Sequence, residues 1–425
     1  MSEVFRRGAC STRRRHVNTH PTAPSLADTP HQYDELPAWL TVLLAAGCGL
    51  IVANLYYAQP LIGLISEGTG ISLRLAGWIV TLTQIGYGLG LLFIVPLGDV
   101  MENRKLVVRC LMVAALGLLA AGLSTSAAPF LAAMALVGVS SVAAQVLVPY
   151  GASMVAEEAR GRTVGNIMSG LLLGIMLARP VSSFTASHAG WHAIFLGSSV
   201  LIAALAALLS RTMPERQPPH AQRYGALLAS MKTLMREQPV LQVRALCHAG
   251  LFAAFSLFWS TVPLLLASPA FGFTQSGIAL FALVGVAGAI AAPIAGRLAD
   301  RGHARAGSLA AIALVALSFT FTWLAPQGSM AALLLLGLAA IVLDMGVSAN
   351  LVLSQREIYA LAPHARGRLN SLFMATFFLG GALGSAGGVY VYAQGGWLGV
   401  VVMGLALGMG SLAVFLAGSR RMARA

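Results

Sequence analysis

The sequence predicts an all-α integral membrane protein with twelve transmembrane helices arranged as two bundles of six. Three observations lead to this fold class: an apolar composition, twelve apolar segments of membrane-spanning length, and a repeat between the two halves of the chain. Of the 425 residues, 57% are hydrophobic and 10% are charged, whereas roughly 25% are charged in an average soluble domain. A soluble protein of this size cannot hide so much apolar surface. The composition therefore excludes an ordinary soluble enzyme, a disordered chain and a secreted disulfide-rich protein.

The apolar segments set the expected domain order. Each is long enough to cross roughly 30 Å of hydrocarbon as a helix that rises 1.5 Å per residue. The segments lie at 38–65, 73–97, 105–125, 129–155, 163–187, 191–210, 240–267, 274–297, 307–325, 329–360, 366–392 and 397–417. We expect a disordered cytosolic tail at 1–36, six-helix bundles at 37–210 and 240–418, a cytosolic linker at 211–239, and a second tail at 419–425.

The positive charges predict the orientation in the membrane. The chain has 27 Lys and Arg against 14 Asp and Glu, and 25 of the 27 lie in the tails or in connections that share one side of the membrane. Arg74 lies on the other side, and Arg179 lies inside a span. The positive-inside rule then places both termini on the cytoplasmic side of the membrane. Because the basic residues are scattered through short loops, we expect no nucleic-acid partner.

The linker carries apolar residues with helical spacing. Leu227, Leu228, Met231, Leu234 and Met235 fall on one face of a helix. This pattern favours an amphipathic helix lying on the membrane surface, with a regulatory docking site as the alternative.

The two halves of the chain repeat. The string Ala-Arg-Gly-Arg at 159–162 recurs at 365–368, and Gly-Trp at 190–191 recurs at 396–397, both at an offset of 206 residues. Parallel repeats of this kind are typical of transporters.

Two loops carry a resemblance to a known family. Residues 296–302 read Gly-Arg-Leu-Ala-Asp-Arg-Gly, and residues 96–105 keep an aspartate and a basic end. With the repeat, these loops make the chain resemble the major facilitator superfamily over about 37–418. The resemblance implies that a charged gating loop latches the two halves in one state; the alternative is a plain loop that sets topology. The residues that match are Asp99, Arg104, Asp300 and Arg301.

Two further strings resemble a bacterial subgroup of predicted sugar-efflux or drug-efflux permeases. They are Asn-Leu-Tyr-Tyr-Ala-Gln-Pro-Leu at 54–61 and Leu-Asp-Met-Gly-Val at 343–347. Drug/proton antiporters of the superfamily often carry an acidic residue in helix one and an arginine in helix four, and this chain has neither. Their helix-five signature is present only in part, because Ile175 follows Gly170 and Gly174 where a proline is expected.

Two formal charges lie well inside predicted spans, Arg179 in helix five and Asp344 in helix ten. A charge in the bilayer is costly and is usually paired or exposed to a water-filled cavity. We expect Asp344 to be the protonation site that couples transport to a proton gradient. Arg179 would then bias Asp344 or hold an anionic group of the substrate. The alternative is a static ion pair or a contact with backbone.

Uncharged polar and aromatic residues are candidates for the substrate cavity, since helices 1, 4, 7 and 10 surround the central path in this family. Interhelical packing and hydrogen bonding are the competing explanation for such residues. The candidates are Asn54, Tyr57, Gln84, Tyr87, Gln145, Phe255, Trp259 and Asn350. His248, at the start of helix seven, is expected to be solvated or capped.

These observations predict a secondary active transporter that works by alternating access. The first prediction is export of a small organic molecule, drug-like or sugar-like, in exchange for protons. A proton-symporting importer or a uniporter is the alternative, followed by a non-transporting membrane receptor. No catalytic cluster, metal spacing or nucleotide motif is visible. We therefore expect no enzymatic activity and no cofactor, a small-molecule substrate and the lipid bilayer as partners, and a monomer.

Overall fold

The computed structural model describes residues 35–216, 223–290, 294–297, 301, 303–362 and 365–422. The predicted tails fall largely outside this part of the chain, as does Asp300 of the predicted gating loop. The described residues contain helices and no strand, as the sequence predicts.

The helices follow one another with short connections. The first half, which we call the N half, contains α1 (Ala38–Ala53), α2 (Ile62–Thr69), α3 (Trp78–Phe93), α4 (Asn103–Leu123), α5 (Ala127–Ser140), α6 (Ala143–Ser153), α7 (Glu157–Ala189) and α8 (Trp191–Thr212). The linker contains α9 (Tyr224–Glu237). The C half contains α10 (Pro239–Ala267), α11 (Gln275–Ala282), a 3₁₀ segment (Leu283–Ile290), α12 (Ala304–Phe321), α13 (Met330–Leu361) and α14 (Arg366–Met422).

Nine helices in the described part of the chain are long and apolar enough to cross a membrane. Helix α14 covers two predicted spans, and its backbone leaves helical geometry at Gly396, where φ is 59° and ψ is −151°. A left-handed φ is readily adopted only by glycine, so Gly396 divides α14 where the sequence predicts a boundary. The full number of twelve spans stays a prediction.

Three predicted spans change their helix geometry within their length, and for two of them the structure shows a cause. Between α1 and α2, the Asn54 amide donates to the carbonyls of Leu50 and Ile51, each at 3.2 Å, and Pro60 has no N–H to continue the helix. Between α5 and α6, the Ser141 hydroxyl donates to the Val137 carbonyl at 2.7 Å. Such side-chain bonds compete with the helical backbone. The third of these spans, predicted at 274–297, begins with α11 and continues directly as the 3₁₀ segment.

Within each half, small residues bring helix backbones into direct contact. In the N half, a Cβ added to Gly174 of α7 would lie 2.2 Å from the Gly49 carbonyl oxygen of α1. In the C half, a Cβ added to Gly384 of α14 would lie 2.0 Å from the Ala253 carbonyl oxygen of α10. Only glycine permits this approach, so each half is closely packed at the equivalent helix pair.

The two halves meet along α3 against α14 and along α7 against α11. We call the end of the molecule that carries α9 the linker side and the opposite end the distal side. On the distal side, the Thr81 hydroxyl donates to the Ala382 carbonyl at 2.9 Å. There too, the Gln275 amide donates to the Pro60 carbonyl at 3.0 Å. These bonds join the N half to the C half directly.

The linker helix α9 packs mainly against the C half. Leu227 and Met231 are buried, and Met231 lies in an apolar cluster with residues of α10, α13 and α14. The Arg368 guanidinium of α14 donates to the Ser230 hydroxyl at 2.7 Å. The Tyr224 hydroxyl donates to the Phe93 carbonyl of the N half at 2.7 Å. The apolar face that the sequence predicts for the membrane surface is thus covered in part by the protein itself.

Candidate functional site

Arg179 of α7 lies at the centre of the molecule and is only 3% exposed. Its Nε donates to the Gln59 side-chain oxygen at 2.8 Å. The guanidinium carbon lies 5.2 Å from the ring centre of Tyr56, 4.9 Å from that of Phe255 and 4.4 Å from that of Trp259. These distances allow cation–π attraction to all three rings. The buried cation is therefore stabilised by aromatic faces and one amide.

Asp344 of α13 lies beside the same tryptophan. The Trp259 indole nitrogen donates to the Asp344 carboxylate at 2.9 Å, and Asp344 is 8% exposed. No Arg179 nitrogen lies within 4.0 Å of an Asp344 oxygen among the ion pairs of the described residues. Trp259 thus connects the two charges, with its N–H on the acid and its ring face on the cation. The static ion pair that the sequence left open is not formed.

These residues come from both halves of the molecule. Tyr56, Gln59 and Arg179 belong to the N half, whereas Trp259 and Asp344 belong to the C half. Asp344 is fourteen residues from the first residue of α13, about 21 Å along the helix axis. The site therefore lies near mid-depth and is assembled only when the two halves are together.

Gln84 and Tyr87 of α3 contact the C half next to this site. The Gln84 amide nitrogen donates to the Ser256 hydroxyl of α10 at 3.0 Å. The Tyr87 ring packs against Phe378 of α14 with ring centres 4.5 Å apart, and its hydroxyl accepts from Gln145 of α6 at 3.1 Å. The structure thus brings these three predicted cavity residues to the boundary between the halves.

Asn54 and Tyr57 lie elsewhere. The Ser198 hydroxyl of α8 donates to the Asn54 side-chain oxygen at 2.6 Å, and Tyr57 lies close to the same serine. The two residues share a neighbour, as their spacing predicts, but that neighbour belongs to the interior of the N half. The helix break after Ala53 lets Tyr56 and Gln59, which the sequence analysis did not select, reach Arg179 instead.

Asn350 of α13 bonds to His248 of α10, with 2.8 Å between the amide nitrogen and Nδ1. His248 is fully buried, and its ring stacks on Phe373 and Phe377 at 5.4 and 5.0 Å. The expectation that His248 is solvated or capped is wrong. The cause is α14, whose aromatic residues cover the linker-side part of α10.

A second buried cation lies at the linker side of the C half. Arg244 of α10 is 4% exposed. Its Nε donates to Glu357 of α13 at 2.7 Å, its Nη2 makes a second bond to the same carboxylate, and its Nη1 donates to Ser308 at 2.7 Å. Its partners Ser308 and Glu357 lie in α12 and α13, so a local sequence pattern around Arg244 does not reveal them.

The predicted gating residues are found on the linker side. Arg104 pairs with Glu215 and donates to the Met213 carbonyl at 3.3 Å, so its partners lie at the start of the predicted linker, directly after α8. Asp99 and Arg301 are exposed. Partial burial lowers the pKa of the neighbouring Arg216 guanidinium. The nearby Tyr150 and Asp99 side chains counteract part of this lowering. Asp300 lies outside the described residues, so the role of the second gating loop stays a prediction.

The described residues contain no group of three or more His, Cys, Asp or Glu that could hold a metal ion. The central site offers a cation, a carboxylate, amides and aromatic faces. This chemistry suits reversible binding of a small molecule and of a proton, rather than bond-breaking catalysis.

Comparison with known proteins gives the family. The Major Facilitator Superfamily profile matches residues 43–385. The putative uncharacterized transporter YgaY of Escherichia coli is 40% identical over 387 residues, which cover 91% of this chain and 97% of that protein. The probable transporter SCO4007 of Streptomyces coelicolor is 33% identical over 363 residues, which cover 84% of this chain and 82% of that protein.

Two solved structures share the fold at low sequence identity. The inward-facing, unoccupied structure of a bacterial homologue of the human lysosomal transporter Spinster has a TM-score of 0.71 and 14% identity, covering 90% of this chain and 97% of that one. The nucleoside transporter NupG has a TM-score of 0.67 and 16% identity, covering 90% and 98%. Together with the profile match and the relatives, they show that this chain belongs to the Major Facilitator Superfamily and is a membrane transporter.

Proposed function

We propose that this transporter exports a small organic molecule in exchange for protons, with Asp344 as the residue that carries the proton. The observation that supports this is the environment of Asp344. The carboxylate is buried near mid-depth, accepts a hydrogen bond from the neutral Trp259 indole, and has no nitrogen of Arg179 within 4.0 Å. An acid held inside a membrane protein without a direct ion pair is a good candidate for reversible protonation.

The position of the site supports alternating access. Because Arg179 and Trp259 belong to opposite halves, parting of the halves on either side exposes the same group of residues. The distal hydrogen bonds of Thr81 and Gln275 hold one side together, and their loss would open that side. We place both termini and the linker side in the cytoplasm of a bacterial inner membrane, on the distribution of Lys and Arg. One chain contains both moving halves, so the unit of transport is a monomer.

Export in exchange for protons follows if the substrate and the proton compete. A neutral or cationic substrate that bonds to the ionised Asp344 leaves when the carboxyl takes up a proton. The strings at 54–61 and 343–347 resemble efflux permeases and support export as the direction.

Proton symport is the second candidate, and one observation favours it. The Arg179 Nη2 atom is buried and has no hydrogen-bond partner among the described residues. A substrate with a negative group there would add a charge that a proton on Asp344 balances, so substrate and proton would move together.

The first experiment identifies the substrate and tests Asp344. The protein is expressed in a bacterial host that lacks its own efflux pumps, and the cells are challenged with diverse toxic compounds and sugars. We expect protection against one chemical class, lost in Asp344→Asn. Glu67→Gln, which removes an exposed acid of α2, is the matched control and should protect as well as the unchanged protein.

A second experiment measures coupling directly. The purified protein is placed in liposomes that contain a pH-sensitive dye, and the substrate from the screen is added. We expect proton movement opposite to the substrate, absent in Asp344→Asn. Full pH-gradient-driven transport by Asp344→Asn would contradict the coupling role, and proton movement with the substrate would favour symport.

A further inference from the structure

We propose that Arg179 and Gln59 form a binding site for the carboxylate of a small organic anion, which makes organic anions the substrate class. The inference rests on the proposed role of the central site in transport, and it selects the proton-symport candidate over exchange with a neutral or cationic substrate. The supporting observation is that two buried hydrogen-bond donors on touching side chains, Arg179 Nη2 and Gln59 Nε2, have no partner among the described residues.

The way Arg179 is held leaves it able to bind an anion. The guanidinium carbon lies over the Trp259 ring, 4.4 Å from its centre, and this contact uses none of the N–H donors, which lie in the plane of the guanidinium. Gln59 occupies Nε, so the Nη2 edge is available. A carboxylate, like a phosphate group, matches this planar edge in geometry and charge.

The amide orientation of Gln59 is fixed by its bond to Arg179. The side-chain oxygen accepts from Nε at 2.8 Å, so the amide nitrogen must be the outer atom. That nitrogen carries two N–H donors and no acceptor. The site therefore presents donors from both side chains, an arrangement that favours an anion over a cation.

The charge of Arg179 also lacks a close counterion. Asp344 is the nearby acid, but it is bonded to Trp259 and does not form an ion pair with Arg179. Burial of an arginine inside a membrane is costly. A bound carboxylate would supply both the missing hydrogen bonds and a direct counter-charge.

The surroundings of Arg179 suit an organic anion with an apolar body. A narrow cavity beside it is lined by Pro60, Trp259 and Phe281, among others, and has room for about one water molecule. Arg179 and Trp259 lie in opposite halves, so parting of the halves widens the cavity. The rings of Tyr56 and Trp259 then provide flat apolar walls next to the cation.

Charge balance links this substrate class to the proton. With Arg179 positive and Asp344 negative, the site is neutral, and a bound carboxylate makes it negative. Protonation of Asp344 returns the site to zero net charge, so the anion and the proton bind together. An anionic substrate therefore favours the symport candidate over exchange.

The test uses the purified full-length protein and two pairs of probes: benzoate with benzamide, and cyclohexanecarboxylate with its primary amide. Binding is measured by calorimetry and by thermal stabilisation. We expect the carboxylates to bind and the uncharged amides to bind at least tenfold more weakly. Arg179→Gln should weaken carboxylate binding about tenfold to a hundredfold, the range for a charged hydrogen bond.

Gln59→Glu is the sharper variant because it keeps Arg179 and adds a carboxylate where the amide lies. We expect it to stabilise the protein and to abolish the response to added carboxylates. Arg74→Gln, which removes an exposed arginine of the distal side, is the control and should bind like the unchanged protein.

Several results would overturn the inference. They are equal binding of carboxylates and amides, no binding of either carboxylate, or carboxylate binding that survives Gln59→Glu. Asp344→Asn separates this inference from the proposed coupling role, since it should still bind carboxylates while proton movement is lost. Undiminished proton-coupled transport of a carboxylate by Arg179→Gln would contradict the anion site and leave the coupling role intact.

Discussion

Gly77 lies where the N half touches the C half on the distal side, and its replacement by alanine gives a direct test of alternating access. A Cβ on Gly77 would lie 2.7 Å from the Ser385 carbonyl oxygen and 2.9 Å from Ala386 Cα of α14. Its φ is −58°, so alanine is conformationally allowed and only the contact opposes it. Ordinary van der Waals contact begins at 3.4 Å. The distance between the new Cβ and the Ser385 carbonyl oxygen must therefore grow by about 0.7 Å, which requires the two halves to separate by about that amount.

The magnitude follows from overpacking, which costs about 1–3 kcal/mol when neighbours cannot yield. The state with the distal side closed bears this cost, whereas the distal-open state does not. We therefore expect Gly77→Ala to shift the population toward the distal-open state about 5-fold to 150-fold. Gly88→Ala is the matched control, since it lies on α3 and faces Ala375 of α14 at an ordinary 3.5 Å.

The assay is a spin-label distance measurement across the distal side in lipid nanodiscs. Labels at Glu67→Cys and Gln394→Cys use exposed positions in a background without the native cysteines. Gly77→Ala should add a longer distance, and Gly88→Ala should not. An unchanged distribution in Gly77→Ala, or the same shift in both variants, would refute the reasoning.

Two predictions concern stability, measured by unfolding in SDS. Trp259→Phe removes the N–H that bonds to Asp344 and should cost about 1.5–3 kcal/mol. The cost should largely vanish in an Asp344→Leu background, which removes the acceptor, and full additivity would contradict the pairing. Arg244→Met removes a buried cation from Glu357, which is itself 32% exposed, and should cost about 1.5–3 kcal/mol, the range for hydrogen bonds to charged groups. Arg162→Met removes an exposed ion pair and should cost less than about 1 kcal/mol; equal losses would contradict the importance of burial.

The sequence predicts the positions of the two central charges well, because a charge inside a 20-residue apolar run stands out against its neighbours. It cannot show that Trp259 connects them. That contact depends on the rotation and height of α7, α10 and α13 relative to one another, and the three helices lie far apart in the sequence.

Helix irregularity explains why other candidates were placed differently. The assumption of a regular first helix puts Asn54 and Tyr57 on the cavity face. The break after Ala53 turns them toward Ser198 and turns Gln59 toward Arg179. The signal that could have found Gln59 is its position directly before Pro60, since a proline inside an apolar run ends the regular pattern.

Long-range partners account for the remaining differences. His248 and Arg244 begin an apolar segment, and such positions usually lie near the membrane surface. Phe373 and Glu357 are more than 100 residues further along the chain and bury them. No local pattern in α10 contains that information.

The backbone contacts at Gly174 and Gly384 have a mechanical consequence. Where helix backbones touch without side chains between them, little room is left for one helix to shift against the other, and we expect each half to move as a rigid body. Asp344 lies about 26 Å along α13 from the linker-side end of that helix. If the half rotates as a rigid body about Trp259 and Asp344, the displacement of each residue grows with its distance from that site. The linker-side end of α13 would therefore move much further than the central site itself.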